Sequence, residues 1–112
     1  MNRMTGMETL HFEFDGGRVL APFAPALVGV VASGNLEVLV ESAPGAACRV
    51  DIDTSARGFG AIWEAVLRDF HARHDIAGVT LSIHDMGATP AVVSLRLDQA
   101  MSSLRASAGS AP

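Results

Sequence analysis

Ser33 is the residue of this sequence whose surroundings most suggest chemistry on a side chain. It precedes Gly34 and Asn35 between two apolar runs, within VVASGNLEVLV. Gly and Asn tolerate the positive φ that tight hairpins require, so a turn of small residues explains the stretch without any function. A hairpin tip would also expose the Ser33 hydroxyl to another protein, and turn N–H groups favour a phosphate esterified to it. The residues alone leave both interpretations of Ser33 open.

Weaker candidates for a functional role are Cys48 and the pair His71 and Asp75 near a predicted helix end. Cys48 opens an alternating apolar strand, where a buried structural thiol is the usual case, and a nucleophilic cysteine would need a base and a route to the thiolate. His71 and Asp75 are i, i+4 neighbours in FHARHD and could share a metal, but no third ligand stands at helical spacing. Histidine near a helix C-terminus also complements the helix dipole. We therefore predict no catalytic residue and no metal site.

Length, charge and cysteine content exclude several classes of protein. The 112 residues correspond to one domain, and a single cysteine excludes a disulfide framework and fits a reducing compartment. The net charge is -4 and the eight basic residues are scattered, which disfavours nucleic acid as a partner. The start has no signal-peptide core and no apolar run is long enough to span a bilayer, so we expect a soluble, cytoplasmic protein without membrane contact. Only 18% of residues are charged, which reflects either the alanine-rich composition or a surface covered by other subunits.

Hydrophobic periodicity predicts the elements that position these residues. Alternation predicts strands in ETLHFEF, CRVDIDT and AGVTLSI, and the apolar runs LVGVV and LEVLVE predict two more strands around Ser33. One helix is predicted from apolar residues at helical spacing, namely Phe59, Ile62, Trp63, Val66, Leu67 and Phe70. The segment after HDMGATP alternates in part like a strand, but Thr89 suits an N-cap and Pro90 a first helical position, which favours a second helix.

The predicted order β-β-β-β-α-β-α indicates an α+β fold. We expect a two-layer sandwich in which a mainly antiparallel sheet of four to five strands carries two helices on one face. Residues 7–105 are predicted to form the domain, with residues 1–6 as a flexible N-terminal extension and residues 106–112 as a disordered tail.

Three segments in order give the chain a family resemblance. LVGVVASGNLEVLVE, DTSARGFGAIWEAVL and IHDMGATPAVVSLRLDQAM resemble the acyl carrier protein (delta subunit) of malonate decarboxylase, over about Met7 to Leu104. METLHFEF looks like the usual start of that family, so the true start could be Met1 or Met7. The resemblance implies a non-catalytic carrier subunit of a multi-subunit enzyme.

The resemblance also implies a covalent prosthetic group. In that family the serine of a G-S-G-D-L-E-V-L segment carries 2'-(5''-phosphoribosyl)-3'-dephospho-coenzyme A, donated from the 5''-triphosphoribosyl form and joined through a phosphodiester. The matching residue here is Ser33, with Gly34 and Asn35 supporting the turn. The sequence departs from the pattern at Ala32, where the family tends to have glycine, and at Asn35, where it tends to have aspartate. Neither departure removes the hydroxyl, and if the family's aspartate guides the attaching enzyme, the charge lost at Asn35 would slow attachment.

The resemblance further implies a set of partners, and the chemistry of malonate explains why a carrier is needed. Malonate decarboxylates poorly until one end becomes a thioester, whose carbonyl accepts the electrons released with CO2. The implied partners are a transferase subunit that exchanges acetate for malonate on the carrier, decarboxylase subunits that act on the malonyl carrier, a malonyltransferase and the enzyme that attaches the prosthetic group. The carrier would hold the acyl group at high effective concentration near each active site.

Three other kinds of protein share some of these sequence features. The acyl carrier (gamma) subunit of citrate lyase resembles the same domain and uses the same kind of arm, although FGAIWEAVL and HDMGATP favour the malonate system. An unmodified structural subunit of the same fold would leave Ser33 free. A fatty-acid carrier is disfavoured because its D-S-L motif is matched only by SSL at 102–104, late in the second predicted helix.

Overall fold

A computed structural model describes residues 7–28 and 36–109 of the chain, with side chains as far as Leu104. Its elements in chain order are β1 (Glu8–Asp15), β2 (Arg18–Val19), β3 (Ala26–Val28), β4 (Leu36–Ser42), β5 (Ala47–Thr54), α1 (Gly60–His74), β6 (Ile76–Ala77), β7 (Val79–Asp85) and α2 (Pro90–Gly109). The predicted α+β class is confirmed, with five strands in one sheet and two helices.

The main sheet has the strand order β1-β5-β7-β4-β3. Three neighbouring pairs are antiparallel, as predicted, and β5 pairs with β7 in parallel. A parallel pair needs a crossover connection rather than a hairpin, and α1 supplies it between β5 and β7.

The two faces of the sheet differ in polarity because successive side chains point to opposite sides. The residues that face the helices are almost wholly buried and apolar: Leu36, Val38, Val40, Val50, Ile52, Val79, Leu81 and Ile83. The other face carries polar cross-strand pairs, such as the Thr9 hydroxyl that donates to Asp53 Oδ1 at 3.0 Å. The helices therefore cover one face, and the open face is mostly polar, with the apolar pair Leu27 and Leu39 at the β3 edge.

The two helices complete the core with residues at helical spacing. Trp63, Leu67 and Phe70 of α1 are buried, and α2 buries Val93, Leu97, Ala100, Met101 and Leu104. The N-cap predicted for α2 is confirmed, since the N–H of Val92 donates to Thr89 Oγ1 at 3.3 Å.

The predicted apolar face of α1 is only partly correct. Phe59 and Ile62 remain 46% and 44% exposed. Instead of packing in the core, they line a cleft between the first turns of α1, the loop after β7 and the start of α2.

A second, two-stranded sheet was not predicted. Residues Arg18 and Val19 pair in parallel with Ile76 and Ala77. Two-residue strands are too short for periodicity to reveal.

α2 continues to Gly109, past the predicted domain limit at residue 105 and into the segment expected to be a tail. The division of the chain into extension, domain and tail stays a prediction. Within the part of the chain that is described, neither α1 nor α2 is long and apolar enough to cross a membrane.

Candidate carrier site at one end of the sheet

One end of the sheet brings together the ends of its central strands. Asp85, the last residue of β7, is the register partner of both Thr54, the last residue of β5, and Leu36, the first residue of β4. Both helices begin just beyond this end, at Gly60 after β5 and at Pro90 after β7. Leu36 is also the first described residue after the stretch that contains Ser33, so that stretch joins the sheet at this same end.

Ser33, Gly34 and Asn35 lie outside the described residues. The two predicted strands on either side of them are present, as the antiparallel pair β3 and β4. In that pair Val28 is the partner of Val38, and Ser33 lies midway between these two in the sequence. The role of Ser33 as an attachment residue stays a prediction.

A buried carboxylate organises the loops at this end of the sheet. Asp85 is 1% exposed, and its Oδ2 accepts a hydrogen bond of 2.7 Å from the hydroxyl of Thr54. Its Oδ1 accepts from the N–H groups of Gly87 and Ala88 at 3.3 and 2.8 Å. The carboxylate thus has a hydrogen-bond donor on each oxygen, as burial of such a group requires. Sequence reasoning missed this role, although Asp two residues before Gly is a typical turn signal.

The cleft beside Asp85 has a volume of about 270 Å³ and mostly apolar walls. Trp63 forms a buried wall, while Phe59 and Ile62 stand half-exposed at the rim. Val66 and Val93 of the two helices line the cleft, and Asp85 is the only charged residue among the described residues that form its lining. The cleft therefore suits an apolar group of modest size and offers no cation to an anion.

Cys48 lies at the other end of β5, opposite the end that carries Thr54. It is fully buried, as predicted, and burial raises the pKa of its thiol to about 11. A thiol in this state is almost wholly protonated near neutral pH and lacks the thiolate that a nucleophile requires.

His71 and Asp75 take part in the end of α1. The ring of His71 stacks on Phe14 with 5.4 Å between centroids, and its Nε2 lies 3.1 Å from the carbonyl oxygen of Ile76. Asp75 follows the helix with a positive φ of 50°, and its N–H donates to the carbonyl oxygen of His71. Across residues 7–28 and 36–109, no group of three His, Cys, Asp or Glu residues could hold a metal ion.

A polar cluster that sequence reasoning missed joins the two helices. Asp98 Oδ1 lies 2.9 Å from Arg73 Nη1 and 2.9 Å from His74 Nε2. Partial burial alone would raise the pKa of Asp98, but the hydrogen bonds from His74 and Arg73 outweigh it and lower that pKa. The hydrogen bonds to Asp98 and Asp69 raise the pKa of Arg73. The cluster lies at the C-terminal end of α1, away from the cleft, and its role is to hold α1 to α2.

Comparisons with known proteins agree with the sequence resemblance. A family model described as "Malonate decarboxylase delta subunit (MdcD)" matches residues 24–104. A malonate decarboxylase acyl carrier protein of Burkholderia cepacia is 71% identical over 96 residues, covering 86% of this chain and 89% of that protein. One from Xanthomonas axonopodis pv. citri (strain 306) is 63% identical over 101 residues, covering 88% of this chain and 96% of that protein.

A solved structure shows the same fold. A chain of a Pseudomonas malonate decarboxylase hetero-tetramer, crystallised in complex with malonate, superposes with a TM-score of 0.75 at 38% identity. The match covers 86% of this chain and 97% of that chain.

The fold and these matches define an acyl carrier subunit, a domain that presents a group to other subunits of an enzyme. The chain belongs to the malonate decarboxylase delta-subunit family, whose members are the acyl carrier proteins of malonate decarboxylase. The predicted resemblance is confirmed.

Proposed function

We propose that Ser33 of this acyl carrier subunit bears a phosphoribosyl-dephospho-coenzyme A arm through a phosphodiester on its hydroxyl. The observation that carries the proposal is the family membership, over residues that include the serine segment. The pairing of β3 with β4 supports it, since Ser33 lies midway in sequence between the partners Val28 and Val38.

The described residues at this end of the sheet fit such a group. Neither helix that starts there has an acidic residue in its first turn, and α1 has no side-chain hydrogen bond at its N-cap. The positive ends of both helix dipoles lie at the end of the sheet that carries Leu36, the first described residue after the Ser33 segment, and helix N-termini favour negative charge. The apolar cleft next to Asp85 offers a place for the uncharged end of a long arm.

When bound, the arm supplies a thiol that carries acetyl and malonyl groups as thioesters, which makes the acyl carbonyl an electron sink. The chain itself positions this group and does no bond-making. Burial of Cys48 and the raised pKa of its thiol support this division, because that thiol is not available as an acyl acceptor.

The partners we propose are those of a carrier in a multi-subunit enzyme. They are a transferase subunit that exchanges acetate for malonate, decarboxylase subunits that release CO2, a malonyltransferase and the enzyme that attaches the arm. The similar chain belongs to a hetero-tetramer, which supports a carrier that works inside an assembly.

Intact mass after co-expression with the attaching enzymes tests the attachment site. The wild-type chain should gain the mass of one arm on the peptide that contains Ser33, and Ser33→Ala should fold but gain nothing. Ser42→Ala is the matched control, because Ser42 ends β4 at the far end of the strand from the Ser33 segment, and it should be loaded normally. Loading of Ser33→Ala, or a wild-type chain that stays unmodified, would contradict the proposal.

Exchange with free acids tests the acyl specificity. The acetylated, loaded carrier mixed with the transferase subunit should release acetate and gain malonate on the same peptide. Cys48→Ser should leave the exchange nearly unchanged. Exchange with citrate instead of malonate would show that the carrier serves a citrate-cleaving enzyme.

A further inference from the structure

We infer that the cleft lined by Phe59, Ile62 and Trp63 binds the acetylated end of the arm and excludes the malonylated end. This inference rests on the proposed attachment at Ser33 and deepens it. It gives the carrier two states, with the acetyl group sheltered on the domain and the malonyl group free for a partner subunit.

The first argument for this occupant is that an arm attached to Ser33 is long enough to reach the cleft. Asp85 lines the cleft, and its register partner in the neighbouring strand is Leu36. Neighbouring strands lie about 4.8 Å apart. Ser33 precedes Leu36 by three residues, which span at most about 10 Å of extended chain. An arm that contains a nucleotide and a pantetheine chain easily covers the remaining distance.

Size and shape are the second argument. The volume of about 270 Å³ is below the roughly 300–1,000 Å³ of sites that enclose a drug-sized ligand. The cleft can therefore take one end of the arm but not the whole arm. Its half-exposed rim, Phe59 and Ile62, would be covered by an apolar occupant, which favours docking.

Charge decides which acyl group fits. No Lys, Arg or His is among the described residues that line the cleft, and its one charged residue is the carboxylate of Asp85. Both oxygens of that carboxylate already accept hydrogen bonds from Thr54 and from the loop N–H groups, so the carboxylate needs no hydrogen-bond donor from a ligand. A malonyl group would have to bring its own carboxylate out of water without a cation, next to a like charge. An acetyl group loses only apolar surface to the cleft.

Trp63 provides a direct readout because it is the only tryptophan of the chain and lies in the cleft wall. We would titrate unloaded Ser33→Ala protein with S-acetylpantetheine and with S-malonylpantetheine, following the emission and the indole N–H resonance of Trp63. The acetyl probe should shift both signals saturably, and the malonyl probe should bind at least about ten-fold more weakly, as expected for an unpaired charge. This titration does not depend on attachment at Ser33, so its failure is distinguishable from failure of the proposed function.

A pair of substitutions tests the charge argument. Ile62→Lys places a cation at the rim and should weaken the acetyl probe while strengthening the malonyl probe. Leu95→Lys is the control, because Leu95 is similarly exposed, at 52%, but lies on α2 outside the cleft. It should leave both affinities unchanged.

The loaded protein gives a second measurement. A tethered group has an effective concentration in the mM range, so a probe affinity in that range means that the acetyl arm is docked about half of the time or more. Its acetyl group should then react with hydroxylamine at least about two-fold more slowly than S-acetylpantetheine, and Ile62→Lys should remove the difference.

Three outcomes would overturn the inference. Trp63 signals that do not respond to the acetyl probe would show that the cleft does not bind it. Equal responses to both probes would refute the selection by charge. Ile62→Lys could also leave the affinities for both probes unchanged and alter only the affinity of the carrier for the transferase subunit, measured in a binding assay. That result would show that the cleft is a docking surface for that partner.

Discussion

The hydroxyl of Thr54 and the carboxylate of Asp85 form a buried hydrogen bond of 2.7 Å across the parallel pair β5–β7. The two residues are also register partners, each at the last position of its strand. The bond therefore fixes the point at which two loops leave the sheet, one leading to α1 and the other to α2. Both loops border the cleft, so this contact links the two loops that form part of the candidate site.

Removing the Thr54 hydroxyl should destabilise the domain. Thr54→Val keeps the shape but leaves one oxygen of a buried carboxylate without its donor, which should cost about 1–3 kcal/mol in the free energy of unfolding. Urea denaturation measures this cost. Thr54→Ser keeps the hydroxyl, so its free energy of unfolding should fall clearly less than that of Thr54→Val. Equal decreases for the two variants would assign the effect to packing of the methyl group.

Cys48 should be unreactive in the folded protein. Because burial raises the pKa of its thiol to about 11, Ellman's reagent at pH 8 should label it only after unfolding. Rapid labelling of the native protein would contradict the burial of this side chain.

The same thiol should make stability depend on alkaline pH. Its folded pKa of about 11 lies above the unfolded value of about 8.5, so the folded state keeps the proton longer. The associated stability is complete below about pH 8.5 and is lost as the pH rises toward the folded pKa. The chain has no Lys and no Tyr, so no other side chain ordinarily titrates in this window. Cys48→Ala should flatten the pH dependence of the free energy of unfolding there, although it lowers stability overall.

Asp98 should stabilise the protein above acidic pH. Its folded pKa is lowered, so its contribution is present above the ordinary pKa of about 3.9 and is lost as the pH falls through the folded pKa. Asp98→Asn should cost about 0.5–1 kcal/mol at pH 7, since its partners are only partly shielded from water, and less at an acidic pH below the ordinary pKa of the group. Thermal unfolding at both pH values measures the difference. Asp69→Asn, which removes only an exposed partner of Arg73, should cost less.

Gly17 should tolerate substitution less well than its neighbour Gly16. Both have positive φ, 103° and 85°, but a Cβ on Gly17 would lie 3.0 Å from the carbonyl carbon of Asp75, whereas one on Gly16 would meet nothing within 4 Å. Both alanine variants pay the cost of the left-handed backbone, and Gly17→Ala should lose about 1–3 kcal/mol more because the backbone of Asp75 cannot yield easily. Similar losses in chemical denaturation would show that β2 and the end of α1 separate without cost.

Much of the fold was predictable because periodicity is local. The alternation in ETLHFEF places Leu10, Phe12 and Phe14 on the inner side of β1, which the structure confirms. The helical spacing around Trp63, Leu67 and Phe70 identified the buried side of α1. Each pattern reflects which side of one element faces the core, and this is encoded within a few consecutive residues.

The features that were not predicted depend on which elements of the fold lie next to each other. Phe59 and Ile62 follow the same apolar spacing as Trp63 but are half-exposed, because the loop after β7 and the start of α2 leave an open cleft in front of them. The pairing of Arg18 with Ile76 joins two-residue segments that show no period of their own. Neither outcome has a signal in the local pattern.

The sequence by itself determined the family, the two-layer class and Ser33 as the candidate attachment residue, since ordered motifs and short-range periodicity are properties of the chain alone. The tertiary structure alone decided that β5 and β7 run parallel, that Thr54 and Asp85 meet, and that Asp98 joins α1 to α2. These contacts join residues far apart in the chain, whose proximity depends on how the whole core packs and not on any local preference.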